Sequence, residues 1–383
     1  MKKTIIIFFS VILVILVVLF ITRTYISNSV VEWNNDEFGI VETVEMPSTQ
    51  YNGVSGSWWG HNQYKLASLE STLFFIDYDN SALDNGNSSI DNPFTCRLKY
   101  LLDSTKVSID DVPCNSPGIV LTDEGNHKVY FVIVEPTGPA ATGGYGWTGE
   151  STTFVYEYDF NVLEHEALLV EKHIVTPSVS DGKIRQGATI DGSGNLAIAY
   201  GTYEGYIELY TFEYQTRVWS NNRVLSNEDN DSLMYCNVQM LDIENVYVLC
   251  QQDTAKDGHV YYQYVKFFAY KNGIWDEKMI ADYREHSLAQ IEDTLVINSD
   301  LYVIDNQVHI ITTAQNFYEI LHVVYEADEY TYLQTDRLPE TTRNIKLVTI
   351  EDELYYIVFL SKYTVNAIDI YQVDSFDLVF SVT

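Results

Sequence analysis

Between Lys183 and Leu225 the chain alternates short apolar runs with breaks rich in glycine and aspartate. Ile184, Gly187 and Thr189 lead into Asp191-Gly192-Ser193-Gly194-Asn195, a turn whose glycines supply the positive φ of a tight hairpin. Leu196 to Tyr200 is a second apolar run. After the break at Glu204-Gly205, the residues Tyr206, Ile207, Leu209, Tyr210, Phe212 and Tyr214 make a third run, rich in side chains that suit a pleated surface. Trp219 and Val224-Leu225 mark a fourth. The pattern predicts four short antiparallel strands in about forty residues, in a sheet apolar on both faces that must stack on neighbours to stay folded.

The turn and second strand of this unit recur. LASLESTLFFIDY, GIVLTDEGNHKVYFVIV, GATIDGSGNLAIAYG, VQMLDIENVYVLCQ, LYVIDNQVHIITTA and KLVTIEDELYYIVF align on Phe74, Tyr130, Leu196, Val246, Val308 and Leu354. These anchors are spaced irregularly at roughly fifty to sixty residues, at or above the long end of repeats that form propeller blades. The prediction is an all-β fold, a six-bladed β-propeller of four-stranded antiparallel blades over residues 51–383. No long stretch beyond the N-terminus keeps a helical period, and 14% aromatic residues with 30 tyrosines favour strands. The longest gap between copies holds EPTGPAATGGYGWTGE, Glu135 to Glu150, between the second and third strands of the second unit.

The phrases NSPGIVLTDEGNHKVYFV (Asn115 to Val132) and ATIDGSGNLAIAY (Ala188 to Tyr200) resemble the repeats of sialidase-type, or BNR-like, propellers, in which an acidic residue and a glycine turn between the first two strands. The resemblance covers most of Tyr64 to Phe380 as a pattern. No copy carries the family's Ser-x-Asp-x-Gly-x-Thr-Trp box. Its arginine triad finds no match among Arg97, Arg185, Arg217, Arg223, Arg284, Arg337 and Arg343. The resemblance implies the fold and not sialidase activity.

The N-terminus reads differently. Lys2 and Lys3 precede an uncharged apolar run from Ile5 to Ile21, near the lower length for crossing a bilayer and longer than most signal-peptide cores. Residues 1–26 are therefore expected to be a retained transmembrane helix with its N-terminus in the cytoplasm, a cleaved signal being the alternative. Residues 27–50 form an acidic spacer with one possible strand, Phe38 to Val44. The net charge of −32 repels nucleic acid and anionic membrane surfaces, so no nucleic-acid partner is expected.

Four cysteines fit an oxidising, extracytoplasmic location. Cys236 and Cys250 are equidistant from Ile243 in a predicted hairpin turn, and Cys96 and Cys114 are equidistant from Thr105 in another. Residues equidistant from such a turn face each other, so each pair is expected to form a cross-strand disulfide.

Candidate chemistry is sparse. Tyr145 and Trp147 on the glycine-rich insertion, and Trp58, Trp59 and His61 before the first strand, are the expected ligand-binding aromatics, able to stack on a sugar ring or a partner protein. Asp191, Ser193 and Asn195 have the alternate spacing of a calcium loop but offer only three side-chain oxygens, so a plain hairpin turn competes with calcium, and no other cofactor is expected. No catalytic motif of a metalloprotease or serine hydrolase is present. His127, His173, Arg185 and Arg223 are the nominal choices for a lyase. The expected function is binding of a glycan or protein ligand; a glycosidase or polysaccharide lyase, or a non-catalytic surface scaffold, are the alternatives.

Overall fold

The computed structural model describes residues 64–70, 72–79, 89–102, 105–139, 149–225, 233–252, 254–256, 259–261, 264–282, 297–314, 320–333, 342–350, 353–361, 366–375 and 378–382. The chain divides into two units, Met1–Ser48 and Thr49–Thr383, and all the described residues belong to the second. The apolar run Ile5 to Ile21, the spacer and the possible strand Phe38 to Val44 lie outside the described residues. Among the described residues no helix is long and apolar enough to cross a membrane.

Six four-stranded antiparallel sheets follow one another along the chain. The first comprises β1 (Leu66–Leu69), β2 (Thr72–Asp79), β3 (Phe94–Leu102) and β4 (Thr105–Cys114). The second comprises β5 (Ile119–Asp123), β6 (Lys128–Pro136), β7 (Ser151–Asn161) and β8 (Glu166–Ile174). The third comprises β9 (Gly187–Ile190), β10 (Leu196–Gly201), β11 (Tyr206–Glu213) and β12 (Val218–Leu225). In the fourth, β13 (Leu233–Asp242) and β14 (Asn245–Gln252) are separated from β17 (Tyr264–Lys271) and β18 (Ile274–Asp282) by a small hairpin, β15 (Thr254–Lys256) and β16 (His259–Tyr261). The fifth comprises β19 (Ile297–Ile304), β20 (Gln307–Ala314), β21 (Leu321–Glu326) and β22 (Glu329–Leu333). The sixth comprises β23 (Thr342–Ile350), β24 (Glu353–Ser361), β25 (Asn366–Gln372) and β26 (Leu378–Val382). First strands of successive sheets lie against one another, β1 on β5, β5 on β9, β9 on β13, β13 on β19 and β19 on β23, an arrangement consistent with a six-bladed β-propeller. All six sequence anchors sit in second strands.

The reason is visible in β10. Leu196, Ile198 and Tyr200 pack with Tyr130, Val132 and Val155 of sheet two, while Ala197 and Ala199 pack with Val238, Val246 and Val248 of sheet four. Both faces are buried, which is why the strand reads as continuously apolar. Every seam from sheets one and two to sheets five and six carries such a cluster. At the seam between sheets three and four the backbones approach closely. A Cβ on Gly201 would stand 1.4 Å from the Leu233 carbonyl oxygen, and one on Gly187 would stand 2.3 Å from that of Cys236.

Both expected disulfides form. Cys236 continues the register that pairs Asn237 with Leu249 and so faces Cys250 directly, with Cα atoms 4.2 Å apart; a register shift follows immediately, at Tyr235, whose φ is 50°. Cys96 and Cys114 correct the expectation in detail. A register shift after Leu98 sets Cys96 opposite Val112 and Cys114 opposite Phe94, so these cysteines are diagonal neighbours on one face, 6.0 Å between Cα atoms.

Seam five–six is held by polar groups as well as apolar ones. The Tyr302 hydroxyl lies 2.8 Å from Thr349 Oγ1, and Asp300 accepts from the Leu347 amide and from Lys346 Nζ. On the inner strands at the same level, the Tyr356 hydroxyl meets Nδ1 of His322 at 2.6 Å, and Nε2 of His322 meets Nδ1 of His309 at 3.0 Å. Burial, with His309 alongside, pushes the His322 imidazolium down to about 3, and burial also lowers His309 against the charge of Asp374.

Two outcomes follow from these seams. Gly201→Ala should destabilise the protein by several kcal/mol, about 3 or more, because backbone blocks the new methyl, whereas Gly192→Ala, with nothing within 4 Å, should change stability by less than about 1 kcal/mol in denaturant unfolding. For His322 the unfolded chain takes up a proton below an ordinary value of about 6.5 and the folded chain does not. Stability is then lost as pH falls from about 6.5, by about 2 kcal/mol between pH 7 and pH 5 for this one group. The same comparison on His322→Gln should show a loss smaller by that amount; identical losses would mean the seam does not hold the imidazole neutral.

Candidate functional site

Strand direction sorts the connections into two sets. Those between first and second strands and between third and fourth strands leave one end of every sheet, and they are tight: 124–127, 191–195, 214–217, 243–244, 272–273 and 305–306 among them. Those between second and third strands and between successive sheets leave the opposite end. These include 80–93, 137–150, 175–186, 253–263 and 283–296, so the long segments start and finish at this one end of their sheets.

At the tight end, aspartates cap the turns. In sheet three Asp191 Oδ1 accepts from the amides of Ser193 and Asn195, at 2.8 and 2.9 Å, and its Oδ2 accepts from Asn195 Nδ2; Asn195 Oδ1 in turn accepts from the Tyr214 amide. Gly194, at φ 84°, completes the turn. Asp123 with Asn126 in sheet two, and Asp242 with Asn245 in sheet four, repeat the arrangement. Of the three side chains of the candidate calcium loop, Asp191 and Asn195 thus have their oxygens engaged by the turn and by the Tyr214 amide beside it.

Also toward this end, in seam two–three, Glu157 is fully buried on β7. Lys128 Nζ and Arg217 Nη1 lie 3.0 and 3.2 Å from its Oε1, and Arg217 Nη2 and His173 Nε2 lie 2.5 and 3.0 Å from its Oε2. Burial pushes the Glu157 carboxyl up, but the hydrogen bonds from His173, Arg217 and Lys128 outweigh it and hold the group far below the usual carboxylate range. Glu157, Glu171 and His173 are close enough together to ligate a metal. A divalent ion there would stand beside two fixed cations that already fill the lone pairs of Glu157, so the group is an ion-pair clasp between sheets rather than a metal centre.

At the long-connection end the base of the insertion is fixed. The Thr137 amide donates to the Glu150 carbonyl, and Ile90 of connection 80–93 donates to the Gly138 carbonyl. Connection 175–186 is laced to the same strands. Ser151 and Val179 exchange backbone hydrogen bonds, the Thr137 and Ser178 hydroxyls meet, and Thr153 Oγ1 donates to Gln186 Oε1. Within it Lys183, fully buried, donates from Nζ to Asp181 Oδ2 at 2.8 Å and to the Val179 carbonyl at 3.1 Å. Tyr200 also bonds Asp181 and stacks on Tyr210 with ring centroids 6.2 Å apart. Burial pushes the Asp181 carboxyl up and the Lys183 ammonium down, and the pair's mutual attraction opposes both shifts. With each charge spent on the other, the pair tethers the connection and is not free to move protons for a substrate.

Of the residues singled out from the sequence, Tyr145, Trp147, Trp58, Trp59 and His61 lie outside the described residues. His127 lies in a tight turn with φ 51° and His173 belongs to the clasp near the end of β8, whereas the guanidinium of Arg185 covers the Tyr235 ring and that of Arg223 covers Tyr206. The structure does not bring these four together. Sequence reasoning missed the clasp at Glu157 and the tether at Asp181 and Lys183. The one sequence signal for the turn caps, an aspartate followed three or four residues later by asparagine, recurs in DEGN, DGSGN and DIEN.

No protein-family model matches the chain, and no curated protein matches it. Solved structures align over most of it at low identity. SapL1 lectin in complex with alpha methyl fucoside aligns at 8% identity, covering 85% of this chain and 99% of that one, with a TM-score of 0.43. A mutant of AofleA from Arthrobotrys oligospora aligns at 12%, covering 84% and 89%, with a TM-score of 0.45. The polysaccharide lyase Uly1 aligns at 8%, covering 85% and 91%, with a TM-score of 0.35. At these scores the likenesses decide neither ligand nor activity.

The tether makes a direct prediction. Lys183→Met should cost about 3 kcal/mol or more in denaturant unfolding, because it strands a buried carboxylate, and adding Asp181→Leu should restore part of that loss. A double variant no more stable than the single one would refute the pairing.

Proposed function

We propose that this chain is a membrane-anchored, extracytoplasmic β-propeller that binds a glycan through the face on which its long connections collect. The observation that carries the reading is the division of the two ends. Tight, self-capped turns close one end, while the other receives every long segment, among them the insertion whose base is fixed at Thr137 and Glu150 and whose sequence carries Tyr145 and Trp147. Variable segments on a rigid scaffold are where binding residues concentrate. Aromatic rings there suit the apolar faces of sugars.

Binding is favoured over hydrolysis by the state of the carboxylates. Among the described residues the buried ones are held by cations, hydroxyls or backbone: Glu135 by Lys172 and Tyr156, Glu157 by its clasp, Asp181 by Lys183, Asp300 by Lys346. A glycosidase needs two carboxylates free to act on a bond between them. The two disulfides and the strongly acidic balance support an extracytoplasmic location, and the apolar run Ile5 to Ile21 supports the anchor.

The test is a glycan array probed with the full-length chain purified in detergent, beside Tyr145→Ala and Trp147→Ala. At least a tenfold weakening of the best glycan by one of these changes is expected, since base or sugar stacking on an aromatic is worth about 1–3 kcal/mol. Binding that neither change affects would remove the insertion from the site, and no glycan bound at all would sink the reading.

A further inference from the structure

Along β19 alternate side chains face sheet six, and two of the three polar ones reach partners on β23: Tyr302 at Thr349, and Asp300 at Lys346 and Leu347. Two residues back on the same face stands Asn298. Its side chain is 1% exposed, and among the described residues neither Oδ1 nor Nδ2 has a hydrogen-bond partner. Its neighbour across the strands is Thr313, also fully buried. The deficit extends to the other face of the sheet, where the buried Thr312 hydroxyl likewise lacks a partner. Asn298 is the second residue of β19, at the end of the sheet from which the long connections depart.

A buried amide with neither half satisfied opposes folding, and natural structures keep few of them. Every other polar side chain that β19 turns toward sheet six is matched. We propose that Asn298 is the polar anchor of a binding subsite for a neutral, hydroxyl-rich ligand, a sugar ring, at the long-connection end of the seam between sheets five and six. The chemistry follows from the amide. It offers donors and an acceptor side by side, and adjacent sugar hydroxyls offer the complementary pair. The nearest carboxylate along the strand, Asp300, is neutralised by Lys346, so charge is not selected here. The inference rests on the glycan reading and narrows it to one seam, well separated in sequence from the insertion that carries Tyr145 and Trp147.

The experiment compares full-length wild type, Asn298→Leu and Asn298→Gln, measuring affinity for the best glycan on the array by calorimetry and thermal unfolding without glycan. Asn298→Leu should weaken binding at least tenfold while its unfolding temperature stays level or rises, because an unpaired amide has been replaced by an apolar side chain of similar volume. Asn298→Gln, which keeps the amide but displaces it, should also bind more weakly. Equal affinity in both variants would overturn the subsite while leaving the glycan reading intact, as would a lowered unfolding temperature in Asn298→Leu with binding preserved, the behaviour of an amide that only holds an internal water. A wild-type chain that binds no glycan would overturn both.

Discussion

Each sheet of this protein is apolar on both faces, and no sheet can bury both by itself. That constraint settles the rest. Burial of apolar surface is the dominant favourable term in folding, and a four-stranded sheet exposing one greasy face would forfeit much of it. For sheets two to five the chain answers by placing a similar sheet on each side, so that in sheet three Leu196, Ile198 and Tyr200 serve one seam and Ala197 and Ala199 the next. Large side chains fill one seam while small ones, with Gly187 and Gly201, let the neighbouring backbone close in on the other.

Among the described residues, three buried carboxylates are compensated by cations. Glu157 meets Lys128, Arg217 and His173; Asp181 meets Lys183; Asp300 meets Lys346. The groups at Glu157 and at Asp300 come from different strands and different sheets, so those two clasps form only when neighbours have docked, whereas Asp181 and Lys183 pair within one connection. Whether such pairs add net stability is secondary to what their geometry excludes, since a misregistered sheet would leave a buried charge alone. The buried imidazoles of His309 and His322 follow the same logic by remaining neutral instead.

The architecture was legible in the sequence because it depends on local patterns. A strand buried on both faces is a continuous apolar run, a tight hairpin needs glycine or asparagine, and both recur, so the anchors Phe74 to Leu354 all fell in second strands. The pairing of Cys236 with Cys250 was legible for the same reason. The diagonal placement of Cys96 and Cys114 was not, because one register shift near Ser108 depends on how β4 lies in its sheet. The clasp at Glu157 was hidden by distance: Lys128, His173 and Arg217 are spread over three strands' worth of hairpins and share no motif. Asn298 was hidden because an asparagine in a strand signals nothing until its missing partners can be seen.

The acidity of the chain takes on a different meaning once the turns are resolved. Read as composition, a net charge of −32 invites a cationic ligand. Yet Asp123, Asp191 and Asp242 each point back at the amides or asparagine of their own turn, performing a local duty that any ligand would have to disrupt. Capping of this kind recurs with the blade, so part of the negative charge scales with the number of hairpins rather than with any recognition task. The field that remains still repels polyanions, a restriction on any ligand proposed for this chain. A neutral glycan satisfies that restriction without requiring any of the turn carboxylates to change partners.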